Sequence, residues 1–270
     1  MTSYKYKKIL LVLLSFIFFH GSSTAKGVVL SIQYGENKLM FDSVEMKTAL
    51  SGIDFDIITY RVDKSRTIGE HTDRIEKIIG KYHDSEHQQP VFLLSDRMSS
   101  FVGLDVVSKD TTIVGLITLS GAFSDGVDFL YDNISMEKNM ETIDSISLDH
   151  SKELYLEGIY NMIHDKKQGK KVKLTRNADV SARELRDLLD SQYGTSLVDF
   201  SLEKRLSRIK SWIVPIIDDP ETLMWSIDLM NLSFIGNMYH LRHTQPIILT
   251  KDRVVSEVIK QISKLTINNL

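Results

Sequence analysis

The stretch Pro90-Val-Phe-Leu-Leu-Ser-Asp-Arg-Met-Ser-Ser-Phe-Val-Gly-Leu-Asp-Val-Val-Ser-Lys109 decides the fold. Pro90–Leu94 reads as a buried strand. Ser95–Ser100 is polar and turn-like. Ser99–Lys109 then reads as a helix with Phe101, Val102, Val106 and Val107 apolar. A strand that feeds directly into a helix is half of a βαβ unit, because parallel strands need a crossover connection.

The same unit recurs on both sides. Upstream, Val28–Gln33 is a strand ending at Gly35, followed by a helix over Asp42–Leu50 and a break at Ser51-Gly52. Phe55–Tyr60 is a second strand, and Ile68–Tyr82 a helix with Ile75, Ile78 and Ile79 on one face. Downstream, Ile113–Leu119 is a fourth strand. From Ser124 to Leu206 the chain is polar and mainly helical. It includes Lys152–His164, with Leu154, Ile159 and Ile163 expected buried, and Ser181–Gln192, with Ser181 as N-cap and Glu184 three residues on. Trp212–Ile217 resumes the sheet, Glu221–Leu232 is a helix, and Val254–Leu265 is an amphipathic helix with an apolar stripe that reads as core. Trp212 and Trp225 read as packing residues. Alternating strands and helices imply an α/β fold, a mostly parallel sheet flanked by helices.

The chain has 270 residues and ordinary globular composition, 42% hydrophobic and 26% charged. Residues 1–25 read as a signal peptide. Lys5, Lys7 and Lys8 form the basic region, Ile9–Phe19 the apolar one, and Ser23 and Ala25 suit cleavage before Lys26. The expected location is therefore the periplasm or the outside of the cell, with no membrane span after cleavage. Removing three lysines and no acids takes the formal charge from −3 to −6. That acidic balance argues against nucleic acid as a partner. With no cysteine, disulfides, zinc thiolates and a Cys nucleophile are excluded. No cofactor or metal is expected. His240 and His243 are spaced like a metal pair but have no carboxylate at ligand-like spacing, and His83 and His87, at i, i+4, sit in a polar stretch before Pro90 that reads as a surface loop. Lys166–Lys173 is a basic run that reads first as a solvated loop.

In order of elements and in several short motifs the chain resembles the α/β-hydrolase family, particularly its lysophospholipase-like members. The resemblance runs over about Val28–Phe123 and resumes more weakly over Arg208–Leu265. It implies a core over 26–123 and 207–270, with a helical lid inserted at 124–206. Where the family has a His-Gly pair after its strand, this chain has Gln33-Tyr34-Gly35. Where the family has an Asp-x-Arg-Gly type loop, it has Arg61-Val-Asp-Lys-Ser-Arg66. The family's nucleophile elbow is a strained G-x-S-x-G turn. Here Ser95 and Ser99 replace its glycines, and Arg97 replaces the nucleophile. Arginine stays protonated and offers only donors, so it cannot act as that nucleophile.

The resemblance places the acid at Asp218 or Asp219 and the histidine at His243, or else His240, before the last helix. Two readings stand. In the first, the chain is a binding or interaction protein without conventional serine-hydrolase activity. Its pocket under the lid, lined by Gln33, Tyr34, Arg97, Met98 and His240, holds a small molecule or a protein. In the second it is an esterase, lipase or thioesterase-like enzyme using Ser95, Ser99 or Ser100 with Asp219 and His243. Serines at those places also serve as helix caps and turn residues, and Arg97 as an ion-pair partner of Asp96 or Asp219.

Overall fold

The computed structural model describes residues 27–35, 43–83, 89–131, 149–174, 180–217, 232 and 234–269. The expected signal peptide, Asp218, Asp219, Trp225, His87 and most of the helix expected over Glu221–Leu232 lie outside them.

Six strands form one sheet in the order β2-β1-β3-β4-β5-β6, and every pairing is parallel. They are β1 (Gly27–Tyr34), β2 (Phe55–Val62), β3 (Val91–Asp96), β4 (Gly115–Leu119), β5 (Trp212–Ile217) and β6 (Ile247–Ile248). Central parallel strands bury both faces, so β3 is apolar over Val91–Leu94 and β4 is apolar apart from Thr118, without alternation.

Helices cover both faces. On one side lie α1 (Val44–Ser51) and α9 (Val254–Asn269), which pack against Val29, Phe92, Ile117 and Val214. On the other lie α2 (Ile68–His83) and α3 (Ser100–Lys109), over Leu30, Leu93 and Leu116. The sequence identifies α3 by four apolar residues. The structure buries every residue from Ser100 to Ser108, because α3 has the sheet beneath it and further helices above. Burying one side chain such as Phe101 contributes about 1.5–3 kcal/mol.

The described helices between β4 and β5 are α4 (Gly126–Phe129), α5 (Asp149–Lys167), α6 (Val180–Leu189), α7 (Gln192–Val198) and α8 (Glu203–Leu206). Phe129, Ile159, Tyr193, Leu197 and Phe200 join the α2/α3 core. Phe129 and Phe200 each meet Phe101 edge-on at 4.9 Å. At Gly126 a Cβ would stand 1.7 Å from the Leu197 carbonyl oxygen, so glycine is what lets α4 and α7 touch.

Two local expectations are corrected. Leu154 is 53% exposed. The buried stripe of α5 is Ile159, Met162 and Ile163, and Leu154, five residues before Ile159, lies about 140° around the helix from it. Helix α6 begins at Val180, so Ser181 stands inside the first turn and not at its N-cap.

Candidate functional site

Strand β3 ends at Asp96 in extended backbone (φ −128°, ψ 157°), and the chain then turns sharply through Arg97–Ser99 into α3. Arg97, at the tip, has φ +22°, a left-handed value that costs a residue with a β-carbon about 1–2 kcal/mol. The side chain is exposed. The turn after β3 therefore has a strained tip, occupied by Arg97.

The serines around the tip hold the turn together. The Ser99 hydroxyl accepts from the Asp96 N–H at 2.9 Å and lies 2.7 Å from both the Ile32 carbonyl and the Asp96 carboxylate. Ser100 donates to the Arg97 carbonyl and accepts from the Ala122 N–H at 3.0 Å. These bonds fasten the elbow to β1 and to the segment after β4. Ser95 is buried, and its hydroxyl has no hydrogen-bond partner among the described residues. It points beneath α3, where a Cβ on Gly103 would stand 3.3 Å from it.

Tyr34, at the end of β1, is the elbow's neighbour. The β1–β3 register pairs Ile32 with Ser95, so two residues further on Tyr34 stands level with Arg97. Burial pushes the Tyr34 phenol up to about 12. At neutral pH it is an uncharged donor, and its buried hydroxyl has no partner among the described residues. Tyr193 from α7 packs on it, with ring centroids 5.0 Å apart, and donates a 2.6 Å hydrogen bond to the Met98 carbonyl. Tyr193 is fully buried. Burial first, then Tyr34 and Asp96, push its phenol well above the usual range. Met98 is half-buried against the same core.

Behind Tyr193 stands His71, fully buried. Its Nε2 meets the Asp63 carbonyl at 3.0 Å, which requires the proton there. Its Nδ1, 2.8 Å from the Tyr60 hydroxyl, then accepts. Burial lowers its pKa despite that hydrogen bond and the Asp63 charge, so it is neutral. Sequence reading missed Tyr193, Tyr60 and His71. No motif marks them, since they meet only across separate elements.

Gln33 is buried and donates to Ser31 Oγ at 3.3 Å. Adjacent strand residues point to opposite faces, so it lies on the other face from Tyr34. The structure does not bring Gln33 to the Arg97 side.

The histidines fall elsewhere too. His243 bridges to Ile213, near the start of β5, and the Ile213 N–H donates to the Arg242 carbonyl. Through the pairings Ile213–Leu116 and Leu116–Leu93, His243 stands level with Leu93. Arg97 is four residues beyond Leu93, about 13 Å along the strands, and three strands away, about 14 Å across. His243 thus lies toward the opposite end of the sheet. The expectation that it occupies the loop before the last helix is corrected by β6, which intervenes. The loop between β6 and α9 is Leu249-Thr-Lys-Asp-Arg253 and holds no histidine. Nδ1 of His243 donates to the Leu241 carbonyl at 3.0 Å, and the ring packs on Gly236. His240 is exposed three residues earlier. The structure does not bring His240 or His243 to Ser95, Ser99 or Ser100.

No protein-family model matches the chain, and no curated protein matches it. Solved structures do. A carboxyl esterase from Bacillus coagulans, solved in complex with glycerol, aligns over 88% of this chain and 90% of its own, with TM-score 0.53 and 12% identity. MenH from S. aureus aligns over 89% and 93%, with TM-score 0.51 and 15% identity. A structure from a study of carboxylesterases of the thaumarchaeon Nitrososphaera gargenis aligns over 92% and 94%, with TM-score 0.51 and 12% identity. These identities speak to architecture and not to activity. The six-stranded parallel sheet, the helices on both faces, the strained turn after β3 and these likenesses together give the chain the α/β-hydrolase fold.

Proposed function

We propose that this chain is an exported binding protein that holds an anionic ligand, a carboxylate or a phosphate, at the elbow instead of hydrolysing an ester there. The observation that carries the reading is Arg97 at φ +22°, exposed at the tip where the resembling family holds its nucleophile. A guanidinium offers paired donors to such an anion. Tyr34, uncharged at neutral pH, ends the strand next to the one that carries the turn, and its buried hydroxyl has no partner among the described residues. Ser99 and Ser100, engaged with the turn's own backbone, are poorly available for proton transfer to a histidine. In this reading the helices within 124–206 cover the site, and Met98 and Tyr193 form its floor.

The second reading, an esterase, lipase or thioesterase using Ser95 with Asp219 and His243, has one observation in its favour: the Ser95 hydroxyl lacks a partner among the described residues. One experiment separates the two. The purified chain is assayed on short and long acyl esters. In parallel it is titrated calorimetrically with small carboxylates and inorganic phosphate. No turnover, with anion binding lost in Arg97→Gln, is expected. Turnover abolished both by His243→Ala and by one serine variant overturns the binding reading. Export is tested by the N-terminus of the chain recovered outside the cytoplasm, expected at Lys26.

A further inference from the structure

The basic run Lys166–Lys173 carries five lysines in a chain whose formal charge is −3. The structure shows how they are held. Lys167 is exposed, and its ammonium donates to the Val198 carbonyl of α7 at 2.9 Å. Helix α5 then ends in a two-bond turn. The Gly169 N–H donates to the Lys166 carbonyl and the Lys170 N–H to the Asp165 carbonyl. Gly169 has φ +70°, as this turn requires. Beyond it Val172 is buried, while Lys171 and Lys173 on either side are exposed. Among the described residues Asp165 lies 3.8 Å from the exposed Lys170, a pair that contributes little, and Asp128 stands near Lys167. Lys170, Lys171 and Lys173 are therefore presented outward on a pinned segment. On the exposed face of α5 leading to this turn, Tyr160 is 51% exposed and stacks on His164 with ring centroids 5.8 Å apart.

We infer that the end of α5, Lys166–Lys173 together with Tyr160, is a docking surface for an anionic phospholipid membrane. Lysines near such a surface are attracted to acidic headgroups. An aromatic ring with a polar tip suits the headgroup depth. Attraction fades within about 8–10 Å in physiological salt, so a local basic patch docks although the whole chain is acidic. The acidic balance and a pI near 6.2 disfavour nucleic acid, which selects basic domains. No described helix is long and apolar enough to cross a membrane.

The test is co-sedimentation of the full chain with phosphatidylcholine vesicles, with and without phosphatidylglycerol, at low and high salt. Beside it runs the triple variant Lys170→Gln, Lys171→Gln, Lys173→Gln, with thermal unfolding as a check that it folds. Each lysine is worth roughly fivefold in partitioning, so the variant should lose on the order of a hundredfold of its preference for the anionic vesicles. The apolar stretch Ile9–Phe19 acts equally on both vesicle types and cancels in this difference. A preference that persists in the folded triple variant overturns the assignment, because it then belongs to Lys5, Lys7 and Lys8 or another region. Equal binding to both vesicle types in low salt overturns it as well. So does lysine-dependent binding to a single-stranded oligonucleotide at concentrations where vesicles are not bound.

Discussion

Tyr193 donates its phenolic proton to the carbonyl of Met98, one residue past the elbow tip, at 2.6 Å and across 95 positions of sequence. This bond fastens α7 to the strained turn that carries Arg97. Removing the hydroxyl leaves that carbonyl without its phenolic donor. Tyr193→Phe should therefore cost about 1–2 kcal/mol, read as a lower urea midpoint with unchanged slope. Tyr193→Ala should cost about 3–5 kcal/mol through the cavity it leaves. A Tyr193→Phe protein as stable as the parent would show that packing alone seats α7.

The backbone at Arg97 is held against its preference. Asparagine tolerates left-handed backbone better than arginine does, so Arg97→Asn should raise stability by about 0.5–1 kcal/mol while abolishing anion binding. Urea unfolding and calorimetry measure the two effects separately. A loss of stability would mean that the arginine side chain's own interactions outweigh the strain at the tip.

Placing a serine at the tip should not create an esterase. A serine there needs a histidine within hydrogen-bond reach, and the loop Leu249–Arg253 has none. Arg97→Ser is expected to release no nitrophenol from nitrophenyl esters above the parent's background. Turnover that also depends on His243 would contradict the sheet register, which holds that histidine level with Leu93.

Arg205 and Asp105 form the one buried ion pair that ties α8 to α3 among the described residues. Arg205 Nε is 2.6 Å from Asp105 Oδ1, Thr72 donates to Oδ2 at 2.9 Å, and Lys109 stands 3.2 Å away. Burial raises the Asp105 pKa, but the Arg205 hydrogen bond and charge, with Thr72 and Lys109, outweigh it and leave the carboxyl below its ordinary value. A carboxylate whose folded pKa is depressed lends stability above its unfolded pKa and loses it as pH falls through the folded one. Arg205→Ala should cost about 3–5 kcal/mol near neutrality, and the deficit should shrink as pH falls below the ordinary carboxylate range and Asp105 becomes protonated. Unfolding measured across that pH range tests both the size and the sign. A deficit independent of pH would assign Arg205 to packing on Phe200, whose ring centroid lies 3.9 Å from its guanidinium.

At Gly126 even one methyl group has nowhere to go. Its Cβ would meet the Leu197 carbonyl oxygen at 1.7 Å, and that atom belongs to the backbone, so it cannot swing aside. Gly126→Ala should lower stability by about 3 kcal/mol. Soluble yield and melting temperature report it. A neutral outcome would mean that α4 and α7 separate at little cost.

Much of the scaffold was legible because buried parallel strands announce themselves. Val28–Gln33, Phe55–Tyr60, Pro90–Leu94, Ile113–Leu119 and Trp212–Ile217 all became strands, since each is an apolar run between polar turns. The strand–turn–helix around Ser95–Ser100 was legible for the same reason, while Arg97 at its tip came from the resemblance to the family's elbow motif. Strand β6 was not legible, because two residues, Ile247 and Ile248, carry no period. Missing it moved the last loop by several positions and placed His243 where the chain has Leu249–Arg253. Leu154 was misjudged because it was grouped with Ile159 without regard to its angle around α5.

The sequence by itself determined the α/β layering and the places of the five longer strands along the chain, because these depend on local apolar periodicity, while Arg97 at the elbow tip followed from the family resemblance. Only the tertiary structure decided that Arg97 is held at positive φ, that Tyr193 reaches the turn beside Tyr34, and that the histidines lie away from the serines. Those relations depend on strand register and on contacts between segments up to about a hundred residues apart, and no local pattern encodes either.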